Sequence, residues 1–307
     1  MVKYIIKRIL IGALTLFILA TITFFGVHYM PGNPFEQDNK RMTQAQYDSL
    51  NEKFGLDKPL GTQYVMFLSN AVKGDFGESI FKKNRQVNEI IATEFVPTAK
   101  LGAVSFVVAI TLGLTLGIIG ALTKKKWLNS VITMIASIGV SIPSFLFAMI
   151  MMVLFGVTWK LLPVSGLDTP VHYILPASAL ALNNLSMVTR LTRQSLRDEM
   201  HKDYITLGRS KGLSDRRVTI KHGLKNALLP VITHAGPMFA NAITGSLVIE
   251  NLFTIHGIGK EFSSSITNRD YPLVMGLTIF FGALVIVMNL VSDITSAIVD
   301  PRIKLGK

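Results

Sequence analysis

A chain of 307 residues, half of them hydrophobic and only 16% charged, is too apolar for a soluble protein of its size and reads as a membrane protein. Its net charge of +12 would suggest nucleic acid in a soluble chain, but here the basic residues flank apolar runs, where they set topology, so no nucleic-acid partner is expected. The absence of cysteine excludes a disulfide framework, a thiolate metal site and a cysteine nucleophile.

A bilayer core about 30 Å thick needs about 20 mostly apolar residues in helix. Six segments meet that need: Ile9 to His28, Leu101 to Leu122, Val131 to Val157, Tyr173 to Thr189, Ala227 to Ile249 and Leu273 to Val299. The expected fold is therefore all-α and polytopic, with six transmembrane helices. The first segment starts with Lys3, Lys7 and Arg8 but has a long apolar run and no small-residue cleavage site, so residues 1–30 read as a retained signal anchor. The fourth is the weakest, being short and carrying Asn183 and Asn184.

Residues 31–96 form a loop whose apolar positions between Asp48 and Leu68 recur at helical spacing. Gly55-Leu-Asp-Lys-Pro59 and Gly74-Asp-Phe-Gly77 supply turn chemistry, so the loop should fold as a small extracytoplasmic helical cap. Residues 97–307 hold the remaining five segments. Lysine and arginine separate by side: Lys3, Lys7, Arg8, Lys124 to Lys126, the run from Arg190 to Lys225, and Arg302, Lys304 and Lys307 fall on one side. A cation at the bilayer centre costs about 2.5–3.5 kcal/mol, so that side is the cytoplasm and both termini lie within it.

Between segments four and five the chain is basic and amphipathic in short bursts, too charged to lie in the bilayer. Asp203 is a candidate helix N-cap and Tyr204 to Lys211 a two-turn helix. Gly212 suits a left-handed C-terminal turn, and Ser214 can cap a second short helix starting at Asp215. The expectation is a cytoplasmic helix-turn-helix hairpin over 200–225. Joined to the flanking membrane helices, it could convert motion of a partner into tilting of those helices; a plain topology-setting loop is the alternative.

The run Asp203-Tyr-Ile-Thr-Leu-Gly-Arg-Ser-Lys-Gly-Leu-Ser214, followed by His222-Gly-Leu-Lys-Asn-Ala-Leu-Leu-Pro-Val-Ile232, resembles the cytoplasmic motif of ABC importer permeases, in particular the oligopeptide, dipeptide and nickel branch. Met30-Pro-Gly-Asn-Pro34, Phe54-Gly-Leu-Asp-Lys-Pro59, Gly74-Asp-Phe-Gly-Glu-Ser79, Ser141-Ile-Pro-Ser-Phe145, Leu162-Pro-Val164, Ile266-Thr-Asn-Arg-Asp-Tyr271 and Asp300-Pro-Arg302 extend the likeness over nearly the whole chain. It is most similar to the first (B-type) permease subunit of an oligopeptide importer. Where the general motif begins Glu-Ala-Ala, this chain has Thr206-Leu-Gly208, Leu207 being the bulkier departure.

The resemblance implies a type I ABC importer permease fold in a bacterial cell membrane and no catalysis by this chain. It implies a second homologous permease subunit, two ABC ATPases that bind ATP and Mg, and an extracellular or periplasmic peptide-binding protein. It also makes Asp203, Tyr204, Leu207, Gly208, Arg209, Ser210, Lys211, Gly212, Leu213 and Ser214 the ATPase-coupling residues. Closure of the ATPases on ATP would drag the hairpin and rock the membrane helices from inward-open to outward-open. Dipeptide, nickel or metallophore, and glutathione cargo share the family pattern; an ion-driven secondary transporter is the reading from a different class. The residues agree with a non-enzyme: Gly257-Ile-Gly-Lys260 looks like a phosphate loop, but Thr254 occupies its first glycine position and Glu261 follows the lysine where Ser or Thr is needed.

Polar residues inside the apolar segments cost free energy against lipid, which makes Asn183, Asn184, His234 and Asn241 candidate pathway residues, with hydrogen bonds between helices as the alternative. Ser141 and Pro143 join them. His234 has no partner at ligand spacing, so no metal site is expected. Pro143, Pro230 and Pro237 should break or bend helices three and five. Gly113-x-x-x-Gly117 should let helix two approach a neighbour closely.

Overall fold

The computed structural model describes residues 2–30, 34–35 and 43–299. Part of the Met30 to Pro34 motif (31–33), the Asp300 to Arg302 motif, Lys304 and Lys307 lie outside the described residues. Among those described, every regular element is helical, the only β-type pairing being an isolated bridge between Glu78 and Gln86.

In chain order the main helices are α1 (Val2–His28), α2 (Gln44–Phe54), α3 (Leu60–Val72), α4 (Val87–Leu122), α5 (Lys126–Ser141) and α6 (Ser144–Met151). After a π-type continuation of α6 to Thr158 come α7 (Ile174–Met200), α8 (Asp203–Ser210), α9 (Asp215–Arg217) and α10 (Lys225–Ala227). The chain closes with α11 (Leu229–Thr244), α12 (Leu247–Leu252), α13 (Ile258–Thr267) and α14 (Tyr271–Val299).

Among the described residues three helices, α1, α4 and α14, are each long and apolar enough to cross a membrane. The α5–α6 pair, bent by 110°, makes a fourth if taken as one span. The bend falls at Ile142 and Pro143, where proline lacks the N–H that would continue the helix and pushes the preceding residue to extended backbone (Ile142 φ −92, ψ 125).

Two boundaries depart from the sequence expectation. α7 runs on to Met200 because Arg190, Arg193 and Arg197 mark the membrane edge without ending a helix. The fifth apolar segment does not continue to Ile249: α11 stops at Thr244, and Gly245 at φ +80 turns the chain into α12. A one-residue interruption at Leu228 separates α10 from α11 just before Pro230, the break expected of that proline. Pro230 sits in the first turn of α11, where no N–H is needed, and Pro237 is carried inside it.

α4 and α7 are the central pair. A Cβ on Gly113 would lie 2.7 Å from Val188 Cβ, and one on Gly117 2.5 Å from Thr192 Cβ, so the backbones touch where glycine permits it. Contacts step forward along both helices, from Gly113 and Val188 to Gly120 and Arg193, so the two run parallel. The cap therefore sits at the start of α4 and the hairpin that follows α7 sits at the opposite end.

The cap is built locally. Thr43 and Gln46 form a reciprocal capping box on α2, which ends in Gly55 at φ +68. α3 lays Tyr64 and Phe67 against Phe24 of α1, and Phe24, Val27, Tyr271, Val274 and Met275 make the buried core beneath. Sequence spacing placed a helical unit here, and its apolar face closes over the ends of α1 and α14.

Candidate functional site: a hairpin at one end and a carboxylate bracket at the other

The hairpin begins at Lys202, whose extended backbone (φ −77, ψ 151) makes it the N-cap of α8; Asp203 is the first helical residue and not the cap expected from sequence. Its carboxylate still lies in the first turn, where it faces the positive end of the helix. α8 ends as Gly212, at φ +81, donates to the Arg209 carbonyl (2.9 Å) and Leu213 N–H donates to the Gly208 carbonyl (3.2 Å). Ser214 then accepts the Arg217 N–H at 3.4 Å, and Arg209 Nε pairs with Asp215 Oδ1 at 3.0 Å across the turn.

Ile205 and Val218 are fully buried between the two arms. Tyr204 and Leu207 are 38% and 55% exposed, so α8 shows an apolar, aromatic face to solvent. The hairpin is tied to both neighbours through the Tyr204 hydroxyl, which donates to Glu199 at the end of α7 and accepts from Asn226 Nδ2 of α10 at 3.0 Å. Lys202 Nζ donates to the other Glu199 oxygen. Burial pushes the Glu199 carboxyl up, but the hydrogen bonds from Lys202 and Tyr204 and the Lys202 charge outweigh it and hold the group below its ordinary value. Burial, then the bond to Glu199, pushes the Tyr204 hydroxyl up. The ten residues singled out from 203 to 214 thus lie together in one helix and its turn, reached from α7 and followed by a nearly continuous helical path into α11.

The candidate pathway residues share exposure. Ser141, Pro143, Asn183, His234 and Asn241 are all exposed on this chain, and Asn184 is half-buried. His234 and Asn241 stand two turns apart on one face of α11. His234 Nδ1 bonds the Pro230 carbonyl at 2.9 Å, leaving Nε2 outward. Among the described residues no cluster of three or more His, Cys, Asp or Glu could hold a metal.

At the opposite end, two buried carboxylates do what no sequence pattern announced. Glu250 of α12, fully buried, accepts Thr98 Oγ1 of α4 (3.0 Å) and the N–H groups of Gly259 (2.8 Å) and Lys260 (3.2 Å), which open α13. Thr98 Oγ1 in turn accepts the Ile258 N–H at 2.9 Å. The segment resembling a phosphate loop is a helix N-terminus already occupied by the chain's own carboxylate. Asp270 is buried in the same way and accepts the Ser79 hydroxyl, the N–H groups of Ile80 (3.2 Å) and Phe81 (3.3 Å), and that of Leu273 (3.3 Å). Lys82 Nζ meets Glu261 Oε2 at 2.7 Å beside it. The cap is thereby pinned to α13 and α14. The one signal available in sequence was a glutamate closing an apolar run amid Gly245, Gly257 and Gly259.

Residues 113–305 match the family described as the binding-protein-dependent transport system inner membrane component, and residues 1–101 match its N-terminal partner family. The chain belongs to this family of transport permeases. The permease is 39% identical over 307 residues to the dipeptide transport system permease protein DppB of Bacillus subtilis, covering 100% of this chain and 99% of that one. It is also 39% identical over 306 residues to the oligopeptide transport system permease protein OppB of Haemophilus influenzae, covering 99% and 100%. Two solved transporters share the fold: an amino acid ABC transporter (TM-score 0.54, 13% identity, 67% of this chain and 92% of that one) and the methionine ABC transporter MetNI (TM-score 0.53, 17% identity, 69% and 96%). Permeases of this family are non-catalytic subunits, with ATP hydrolysis in separate chains.

Proposed function

We propose that this permease forms half of the translocation pathway of a bacterial importer that takes up oligopeptides delivered by an extracytoplasmic binding protein. The observation that carries this reading is the hairpin from Lys202 to Ser214, rigidly joined to α7 and leading into α11, in a chain 39% identical over its full length to peptide-transport permeases. Equal identity to a dipeptide and an oligopeptide permease keeps dipeptides as the second cargo.

In this reading the α5–α6 pair is one broken span, and α7 and α11 cross with α1, α4 and α14 to give six spans. Both termini and the hairpin are cytoplasmic, and the cap (31–96) is outside. The core (97–307) pairs with a second, homologous permease. Two ATPases carrying ATP and Mg dock on the exposed face of Tyr204 and Leu207 of this hairpin and its counterpart. Asn183, His234 and Asn241 support the pairing, since exposed polar groups at membrane depth are costly against lipid and inexpensive against a polar passage. Closure of the ATPases on ATP moves the hairpin, and α7 and α11 transmit that motion through the Glu199–Tyr204–Asn226 contacts that join the hairpin to α7 and, by way of α10, to α11. Moving such a two-state passage from 1:99 to 99:1 needs about 5.5 kcal/mol of differential binding, within reach of ATP-driven association.

The test is uptake of a labelled four- or five-residue peptide into vesicles carrying the permease with its partner subunits. Uptake is expected to require both ATP and an intact hairpin. Uptake driven by an ion gradient without the ATPases would overturn the assignment.

A further inference from the structure

Under the cap lies a cavity of about 320 Å³, bounded by α2, α3, the turn at 74–78 and the ends of α1 and α14. Small-molecule sites occupy about 300–1,000 Å³. Three half-buried rings line it, Phe54, Phe67 and Phe76, together with Met66, which is 42% exposed. Charged residues of both signs line it too. Lys53 and Glu78 already satisfy each other at 2.7 Å. Lys58, Asp75 and Glu52 do not: no ion pair among the described residues engages them, and Lys58 Nζ reaches only Met66 Sδ, at 3.7 Å. Asp75 Oδ1 accepts the Gly77 N–H at 2.9 Å, while among the described residues no donor meets its Oδ2.

Both unmatched charges stand on braced backbone. The Lys58 carbonyl accepts Gln63 Nε2 (2.8 Å), and Gln63 Oε1 meets His28 Nε2 (3.1 Å), which ties the turn at 55–59 to the end of α1. Asp75 N–H donates to the Asn70 carbonyl (3.0 Å), between Gly74 and Gly77 at φ +74 and +78. Met66, beside Lys58, and Asn70, beside Asp75, are one turn apart on one face of α3, about 6 Å along its axis. A cation and a carboxylate so spaced beside an aromatic wall match a zwitterion whose own charges are about 7 Å apart, the span of two extended residues; one residue spans half of that. Glu52 adds a second negative charge to the lining, which favours a ligand carrying an ammonium over a bare carboxylic acid. We propose that the cavity under the cap binds a dipeptide with a large apolar side chain, its ammonium at Asp75, its carboxylate at Lys58 and its side chain against Phe54, Phe67 and Phe76. None of the candidate pathway residues lines this cavity, so it is a second peptide site. It rests on the reading above in that the cap faces the medium from which peptide arrives.

The test uses the full permease with its partner subunits, purified in detergent without the binding protein, and reads the dissociation constant of alanyl-phenylalanine by calorimetry. Alanyl-glycine is expected to bind about tenfold more weakly, for want of the buried ring. N-acetylated and C-amidated alanyl-phenylalanine should each bind about fivefold more weakly, having lost one charge. Asp75→Asn, which keeps an acceptor for the Gly77 N–H, should weaken the free dipeptide about fivefold yet leave the N-acetyl form unchanged, and Lys58→Gln should do the same with the amidated form. Failure of millimolar alanyl-phenylalanine to bind, or equal affinity for free and blocked peptides in the parent protein, would overturn the site. Binding that neither variant weakens would place the peptide in the passage and overturn it as well. Should a variant misfold, the blocked peptides on the parent decide. ATP-dependent uptake is measured separately in vesicles. Uptake without binding under the cap overturns this site alone, whereas the expected binding pattern without ATP-dependent uptake overturns the importer reading and leaves the site standing.

Discussion

The two ends of the bundle are held by opposite means. At the hairpin end the chain is shaped by backbone turns and exposed polar contacts: Gly212 at φ +81, an Arg209–Asp215 pair, and a tyrosine hydroxyl shared between Glu199 and Asn226. At the cap end, Glu250 and Asp270 are buried and each gathers three or more donors from segments far apart in sequence. A surface proposed to dock a moving partner must stay open to solvent. Its rigidity therefore comes from local geometry, whereas the cap end can use charge in a low-dielectric interior, where a satisfied carboxylate is strong and an unsatisfied one ruinous.

The largest test of this contrast is at Glu250. Replacing it with alanine strands the N–H groups of Gly259 and Lys260 and loosens Thr98, at a cost of about 3 kcal/mol. The variant is expected to lose thermal stability sharply, read as a drop in the melting midpoint of the detergent-solubilised protein. A midpoint unchanged from the parent would show that the bracket does not hold this end. Asp270→Asn should cost less, about 1–2 kcal/mol, because the amide keeps one acceptor oxygen. It should free the cap for proteolysis near Ser79 while leaving the bundle folded.

Gly212→Val breaks the other end differently. A β-branched residue at φ +81 is strained, by about 1–2 kcal/mol or more, although no atom lies within 4 Å of where its Cβ would stand. Membrane insertion and cap stability should be unchanged while peptide uptake falls at least tenfold relative to ATP hydrolysis. Normal uptake would remove the hairpin from the coupling path.

How much of this was legible beforehand follows from the range of the interactions. The apolar runs of α1, α4 and α14 and the turn glycines at 55, 74, 77 and 212 are local signals, and so is the break at Pro143. Helix ends were less legible: α7 continues through its arginines, and the stop at Gly245 is hidden inside an apolar run that extends to Ile249. Glu250 looked like the mere edge of that run, because its partner Thr98 is 152 positions away. Asp203 invited the cap assignment because aspartate is a favoured N-cap, yet the extended backbone needed for a cap falls at Lys202.

The contact among Glu199, Tyr204 and Asn226 gives a pH test of smaller size. The folded Glu199 carboxyl titrates below its ordinary value, so its contribution is present above the unfolded carboxylate range and is lost only as pH falls through the lowered one. The raised Tyr204 hydroxyl contributes below its unfolded range and is lost as pH rises through the raised value. Between pH 6 and 8 both hold the charge state the contact needs. Coupling efficiency, as peptide transported per ATP hydrolysed, should be flat over that window, and Tyr204→Phe should lower it about two- to threefold. A step near neutral pH that disappears in Tyr204→Phe would contradict the assigned protonation states.

The smallest expected effect separates two meanings of glycine in one motif. Gly208 closes the Thr206-Leu-Gly208 stretch of the hairpin motif, yet it is helical, and a Cβ there would meet Val218 Cγ2 at 3.6 Å and Leu213 Cδ1 at 3.7 Å, ordinary contact distances. Alanine fits without displacing either neighbour and gains about 0.5–1 kcal/mol of helix propensity over glycine. Gly208→Ala should leave uptake per ATP unchanged within a factor of two, in contrast to Gly212→Val four residues later. If it instead abolished uptake with the fold intact, the requirement at position 208 would come from outside this chain, from a partner surface that approaches the α8 backbone more closely than a methyl group allows.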